Sequence, residues 1–287
     1  MSGPKAIRGL RAMFQRLSLL IVMLAASGSA SAAPTCEALL QKLGSLSASP
    51  AQELRTAASG GRSFKELYDE CDRSDRFAGS QLPKHRGRQL RCSTDKNRVD
   101  FIRKYPDGTI VFRSKMSVDA DGAPVTRGPN ASSTDQTVTW LTFDKGSAQH
   151  YVNAEDVPFV VVPGRYAPAG ISFQERTGIK KGDLAVAFAN GRCSFGVVGD
   201  SGPYFRLGEA SLRTHQDLGN PQCEIAGEHP CRRLKRGGSG VGIGAGVTFM
   251  IFPGTRPEPL LSQSVVAVSD TAAKSRAEAF LTRFSSP

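Results

Sequence analysis

Leu184-Ala185-Val186-Ala187-Phe188-Ala189, then Asn190-Gly191, then Arg192-Cys193-Ser194-Phe195-Gly196-Val197-Val198 is the stretch that decides the fold. Two short runs rich in apolar and β-branched residues flank Asn-Gly, the strongest short-range hairpin dipeptide, because both residues tolerate the positive φ of a tight turn. Leu184–Ala189 is apolar at every position, so both of its faces need cover, as in a central strand of a barrel. The same grammar of short strands and turns starts near Gln89. It predicts strands at Arg98–Tyr105, Thr109–Ser114, Val138–Phe143, Phe159–Val162, Cys193–Val198 and Val247–Ile251, with a further hairpin turn at Pro106-Asp107-Gly108. Many short strands with few helices predict a mainly β protein with a closed or partly closed β-barrel core.

Helical signals lie at the two ends. Thr35 to Asp72 shows helical spacing in Cys36-Glu37-Ala38-Leu39-Leu40, Leu43, Phe64, Leu67 and Tyr68, with Ser49-Pro50 read as a helix start and Gly60-Gly61 as its break. Ser74 to Arg88 reads as a basic linker. Helices are also predicted over Glu209 to Leu218, stopped by Gly219-Asn220-Pro221, and over Thr271 to Arg283. The resulting division is 1–32 leader, 33–88 helical segment and linker, 89–256 barrel, and 257–287 helical extension. The run Gly237 to Gly246 has glycine at every second position from Gly238. That spacing fails the dinucleotide-binding pattern and suits a strand approached closely by other backbone.

The leader combines Lys5, Arg8, Arg11 and Arg16 with an apolar run from Leu19 to Ala26 and the small-residue site Ala30-Ser31-Ala32. This is the composition of an export signal, and the apolar run is too short for a membrane anchor of about 20 residues. A secreted or periplasmic location follows. All six cysteines lie beyond the leader, and an even number in an exported chain predicts three disulfides. Cys36–Cys71 and Cys223–Cys231 are the local pairings, leaving Cys92–Cys193. The trio Cys223, His229 and Cys231 lacks a second ligand pair at zinc spacing, so no metal is expected, and nothing in the sequence asks for another cofactor.

The chain carries a net charge of +11; the leader holds four basic and no acidic residues, so the remainder is +7. Basic residues crowd Lys84 to Arg91, Arg98 to Lys115 and Arg232 to Arg236, without the interleaved aromatics that single-stranded nucleic acid would need. They read as solvated faces or contacts with an anionic envelope surface. From Ser117 to Glu209, by contrast, ten acidic residues outnumber eight basic ones.

Within that acidic span, Gly199-Asp200-Ser201-Gly202-Pro203 is followed by Gly208-Glu209-Ala210-Ser211. Two carboxylates nine residues apart across one turn can face the same cleft, which is what glycosidic cleavage requires. Read as the first residue of a helix, Glu209 would have its pKa lowered by the helix dipole. The bland alternative has Asp200 bonding the turn and Glu209 serving the helix N-terminus.

The pattern of a Gly-Asp-Ser-Gly-Pro turn and a Gly-Glu-Ala-Ser segment resembles the active-site segment of the fungal-type chitosanases of glycoside hydrolase family 75. Met116-Ser117-Val118-Asp119-Ala120-Asp121-Gly122 is similar to that family's aspartate-rich segment. Tyr151 to Pro163, Gly182-Asp183-Leu184-Ala185 and Phe249 to Gly254 are similar to its strands. The resemblance spans about Arg98 to Gly254. It implies a hydrolase inverting at β-1,4-linked glucosamine, with Asp200 as general base and Glu209 as general acid. Asp119, Asp121 and Asp183 would contact substrate ammonium groups, the alternative being that they cap their Asp-Gly and Gly-Asp turns; apart from the resemblance, Tyr204, like Tyr151 and Tyr166, could stack on a sugar ring. A basic chain acting on polycationic chitosan requires a locally acidic cleft; peptidoglycan strands are the less cationic alternative. Two other readings compete. A trypsin-like nucleophile at Ser201 would need a histidine base for which no motif exists, and a non-catalytic module binding cell-wall glycan or protein would need only the barrel. Trp140 could stack on sugar, but its apolar-alternating setting favours core packing.

Overall fold

The computed structural model describes residues 34–286 except 86, 128–135 and 237–240. Residues 1–32, read above as a leader, and the first four residues of the Gly237–Gly246 run therefore lie outside the described residues. One eight-stranded sheet organises the rest: β1 (Gln52–Glu53), β2 (Phe101–Lys104), β3 (Ile110–Asp119), β4 (Phe159–Pro163), β5 (Leu184–Ala189), β6 (Arg192–Gly202), β7 (Glu209–Ser211) and β8 (Ile243–Phe252). Six of these strands close into a barrel in the order β3-β7-β4-β6-β5-β8, and β8 pairs back onto β3. The β4–β6 and β3–β7 pairs are parallel; the others are antiparallel. The fold is mainly β with a closed barrel, as the sequence predicts.

The Asn190-Gly191 hairpin joins β5 to β6, both turn residues taking positive φ (53° and 67°). Period-two burial explains the apolar strands. Val160, Val162, Ala185, Ala187, Phe249 and Ile251 join one hydrophobic cluster, whereas their alternates Phe159, Val161, Leu184, Val186, Met250 and Phe252 join another. The first cluster is completed by Phe64, Leu67, Tyr68 and Cys71 of α2 (Phe64–Ser74), whose Ser63 and Glu66 form a reciprocal N-terminal capping box. The second is completed by α1 (Cys36–Gly44) and by the C-terminal helix spanning Val265–Phe284. Both helical ends thus share the barrel's clusters, and residues Ala33–Pro287 form one unit.

Three elements differ from expectation. Ser49-Pro50 opens no helix: Gln52 and Glu53 instead pair with Lys104 and Arg103, because the free edge of β2 offers backbone partners. Val138–Phe143 is not a strand. It meets β6 through Leu141 N–H to Gly199 O (2.9 Å) and Trp140 N–H to Asp200 Oδ1 (3.1 Å), and Thr142 forms an isolated bridge with Tyr151. Glu209 begins strand β7, and the short helix Leu212–Asp217 starts only after Ser211, whose hydroxyl caps Thr214 N. The basic linker, in turn, is folded into two short ladders, Arg76–Phe77 with Ser80–Gln81 and Lys84–His85 with Arg88–Gln89.

Three disulfides are present: Cys223–Cys231, as the sequence spacing predicts, with Cys36–Cys193 and Cys71–Cys92 in place of the other two expected pairs. The reason is docking. The first helix lies against β6, which carries Cys193, while α2 brings Cys71 to Cys92 in the other cluster. No helix among the described residues is long and apolar enough to cross a membrane.

Candidate active site

Asp200 and Glu209 come together through a single residue of the sheet. Val161 on β4 pairs with Asp200 on one side and with Glu209 on the other. Residues paired across a sheet share a face, so the two carboxylates project from the same face with one strand between them. Two strand spacings of about 4.8 Å separate their backbones by roughly 9–10 Å. Both line an open cleft of about 480 Å³, together with Asp119, Asp121, Val118, Phe205 and Arg206.

Local geometry fixes each side chain. Gly199 makes a bulge that interrupts the β4–β6 register just before Asp200. A Cβ at Gly199 would lie 2.4 Å from the Phe159 ring, so only glycine fits. With the ladder broken there, Trp140 N–H donates to Asp200 Oδ1 (3.1 Å), as does Ser201 N–H (2.6 Å). Gly208 has φ +77°, and a Cβ there would lie 2.0 Å from Lys115 O. The turn it permits lets β7 enter beside β3, with Glu209 opposite Ser117.

The electrostatics separate the two carboxyls. Burial pushes Glu209 up to about 7, against the pull of Lys115 and Arg206 and with help from Asp95 and Asp200. Glu209 does not open a helix, so the dipole that would have lowered its pKa is absent; desolvation on a strand takes its place. Burial also raises Asp200, opposed by the backbone donors of Ser201 and Trp140 and by the Asp121 carboxyl. Asp119, 6% exposed, is raised well above the carboxylate range by burial and then by Glu209, Asp121 and Asp200.

Behind Glu209 stands a cation pair that the sequence hid. Lys115 closes a basic run that reads as solvated, yet it is buried. Its Nζ donates to Asp95 Oδ2 (2.7 Å) and to Ser117 Oγ, and Arg206 donates to the same Asp95 oxygen. The Lys115 and Arg206 charges overcome burial and hold Asp95 below its usual range. Lys115 itself is lowered by burial, against the pull of Asp95 and Glu209. His85, from the segment read as linker, also lines the cleft.

The other candidates divide. Asp119 and Asp121 lie in the cleft, and carboxylate oxygens of Asp119, Asp121 and Asp200 fall within 4.8 Å of one another. Asp183 does not line it: its carboxylate accepts from Lys180 N (2.7 Å), Gly254 N (2.9 Å) and Thr255 N (3.0 Å), tying one loop to another. Tyr204 is likewise not among the lining residues and packs in an aromatic cluster with Tyr166, Phe77 and Phe205. Trp140 packs against the core with its side chain and serves Asp200 through its backbone. Ser201 Oγ accepts from Gln174 Nε2 (2.9 Å), and no described histidine hydrogen-bonds it.

No protein-family model matches the chain, and no curated protein matches it in sequence.

Proposed function

We propose that this chain is an exported glycoside hydrolase that cleaves β-1,4-linked amino-sugar polymers, with chitosan as the preferred substrate, by an inverting two-carboxylate mechanism. The observation that carries it is the placement of Asp200 and Glu209 on one face, one strand apart, in one open cleft. Inversion calls for carboxyls roughly 6.5–9.5 Å apart, which leaves room for a water, and the intervening strand keeps the two backbones roughly 9–10 Å apart.

Roles follow from the environments. Glu209, raised by burial to about 7, keeps its proton near neutrality and protonates the leaving glycosidic oxygen. Asp200 has two backbone donors on Oδ1 that favour its anion, so it takes a proton from water as that water bonds to the anomeric carbon. The carbon–oxygen bond to the leaving sugar breaks, a new one forms to hydroxyl, Asp200 ends protonated and Glu209 ionised, and solvent restores both. The cleft is lined by the carboxyls Asp119, Asp121, Asp200 and Glu209 beside Arg206 and His85, and those that are ionised can pair with the ammonium groups of a cationic glycan.

Proton NMR of the fresh products from chitosan oligomers tests the mechanism. The α-anomer should appear first; initial β-anomer would exclude inversion. A non-catalytic module would release no product from chitosan or peptidoglycan strands, whereas cleavage of peptidoglycan alone would move the substrate assignment.

A further inference from the structure

A second cavity, of about 270 Å³, lies between the loop closed by Cys223–Cys231 and the short helix Leu212–Asp217. It shares no lining residue with the catalytic cleft. Glu155 and Asp156, just before β4, complete its wall. The Glu155 side chain is only 4% exposed. Its Oε2 accepts from Cys231 N (2.9 Å) and lies 3.2 Å from His229 Nδ1. Its Oε1 is buried and meets no hydrogen-bond partner. A buried carboxylate oxygen without a partner costs free energy that a ligand in the adjoining cavity can recover.

Charge narrows the choice of ligand. Arg213 is held by Asp217 (2.8 Å), and Glu228 accepts from Arg232 N (3.0 Å) with Arg232 Nε 3.6 Å away. Those two lining charges are compensated where they stand. Glu155 and Asp156 have no lysine or arginine pair among the described residues. Both face one imidazole, His229, whose Nε2 is 3.6 Å from Asp156 Oδ1, and an imidazole carries at most one positive charge for the two carboxylates. Asp156 Oδ2 accepts from Asn153 Nδ2 (2.6 Å), a neutral donor. Burial raises the pKa of Glu155, opposed by the Cys231 N–H and by His229. A water would fill the donor gap at Oε1 but would leave the charge uncompensated.

We propose that this cavity is a binding site for a primary amine, whose ammonium group donates to Glu155 Oε1 and is neutralised by Glu155 and Asp156. A metal ion fits less well. Among the described residues, three carboxylate or imidazole atoms converge within 4.8 Å at Asp119, Asp121 and Asp200 and not in this cavity, whereas a metal needs several ligands at one point. A guanidinium fits less well too, because its fork takes both oxygens of a carboxylate and Glu155 Oε2 is already engaged. An ammonium asks only for single acceptors. Leu212 and Pro221 give the carbon skeleton an apolar wall, and the volume suits one sugar unit or one side chain. Two sources supply such an amine: the 2-amino group of glucosamine and a lysine-type side chain. The site does not rest on the hydrolase reading; where that reading holds, it gives the enzyme a second hold on its polymer outside the cleft.

Nitrogen-15 NMR of residues 33–287, which form one unit, reads the site through the Cys231 amide, whose N–H rests on Glu155. Titration at neutral pH with glucosamine, and separately with Nα-acetyl-lysine amide, should shift the Cys231 and His229 amides with saturation, and the tighter ligand names the source. Glucose and N-acetylglucosamine, which lack the charge, should leave both amides unmoved. Glu155→Gln keeps the shape and an acceptor for Cys231 N–H, and should weaken amine binding about tenfold or more, as loss of a charge-assisted hydrogen bond implies. Asp156→Asn, at a side chain 42% exposed, should weaken it by only about threefold. Amides unmoved by either amine, an equal shift with glucose, undiminished binding in Glu155→Gln, or a shift with calcium chloride alone would overturn the proposal. Should Glu155→Gln not fold, the wild-type titrations against the uncharged sugars and Asp156→Asn decide. A wild type that binds amine here yet cleaves no glycan would sink the function proposal and leave this site standing.

Discussion

Replacing Glu209 by Gln should make the protein more stable at alkaline pH while destroying the activity proposed for it. Glu209 sits on a strand in a cleft, and burial lifts its pKa from 4.5 to about 7 against two nearby cations. In the unfolded chain it titrates as an ordinary glutamate. Between these values the native state holds a proton that the unfolded state has lost, so raising the pH through this window favours unfolding. The group's contribution is fully present below about pH 4.5 and is lost by the time pH passes about 7. At about 1.36 kcal/mol per unit, the ionised carboxylate costs at most about 3 kcal/mol above that window. Glutamine keeps the shape of the protonated acid and never ionises. Urea unfolding of wild type and Glu209→Gln, under non-reducing conditions at pH 4.5 and pH 8, measures the difference. The variant should gain about 2–3 kcal/mol at pH 8 and almost nothing at pH 4.5. Equal stability at pH 8, or the same gain at both pH values, would refute the reasoning about burial of this carboxyl.

The glycine before it supplies a second test. Gly208→Ala and Gly108→Ala both place a side chain at positive φ, but only the first drives a Cβ to 2.0 Å from a backbone oxygen; the second meets open space. Thermal melts should show Gly108→Ala costing about 1 kcal/mol and Gly208→Ala about 2–4. Lys115→Met removes the larger of the two cationic pulls on Glu209, so the alkaline limb of the kcat profile should move up by on the order of one pH unit. Removing the Cys36–Cys193 bridge by paired serine substitutions frees a span of 157 residues, and urea unfolding should record a loss of about 4–5 kcal/mol.

Much of the barrel is legible in the sequence because its strands carry strong local signals. Leu184–Ala189 with Asn190-Gly191 needs no distant information, and Phe159–Val162 is apolar at every position. The misread elements are those settled by a partner far away in the chain. Gln52 and Glu53 have no strand signal of their own; the free edge of β2 makes them one. Glu209 looks like a helix start because a real helix lies three residues on, but Ser211 is its cap and β3 claims Glu209 to Ser211. Val138–Phe143 alternates like a strand, yet the Gly199 bulge turns its hydrogen bonding toward the Asp200 side chain.

The site was half legible for the same reason. Asp119, Asp121, Asp200 and Glu209 sit in recognisable turn-rich segments, and the barrel brings all four to one cleft. Asp183 carries the same Gly-Asp signal but spends its carboxylate on Lys180, Gly254 and Thr255, which no local pattern distinguishes from a binding role. Lys115 was hidden by its neighbours: a lysine ending a basic run looks solvated unless one knows that Asp95 and Ser117 meet it inside.

Mass spectrometry of chitosan oligomers incubated with residues 33–287, beside Asp200→Asn and Glu209→Gln, tests the central claim most directly. The account predicts shortened oligomers from wild type and a loss of about a hundredfold or more in each variant, with both variants folded. Oligomers left intact by wild type, or cleaved equally well by either variant, would contradict it.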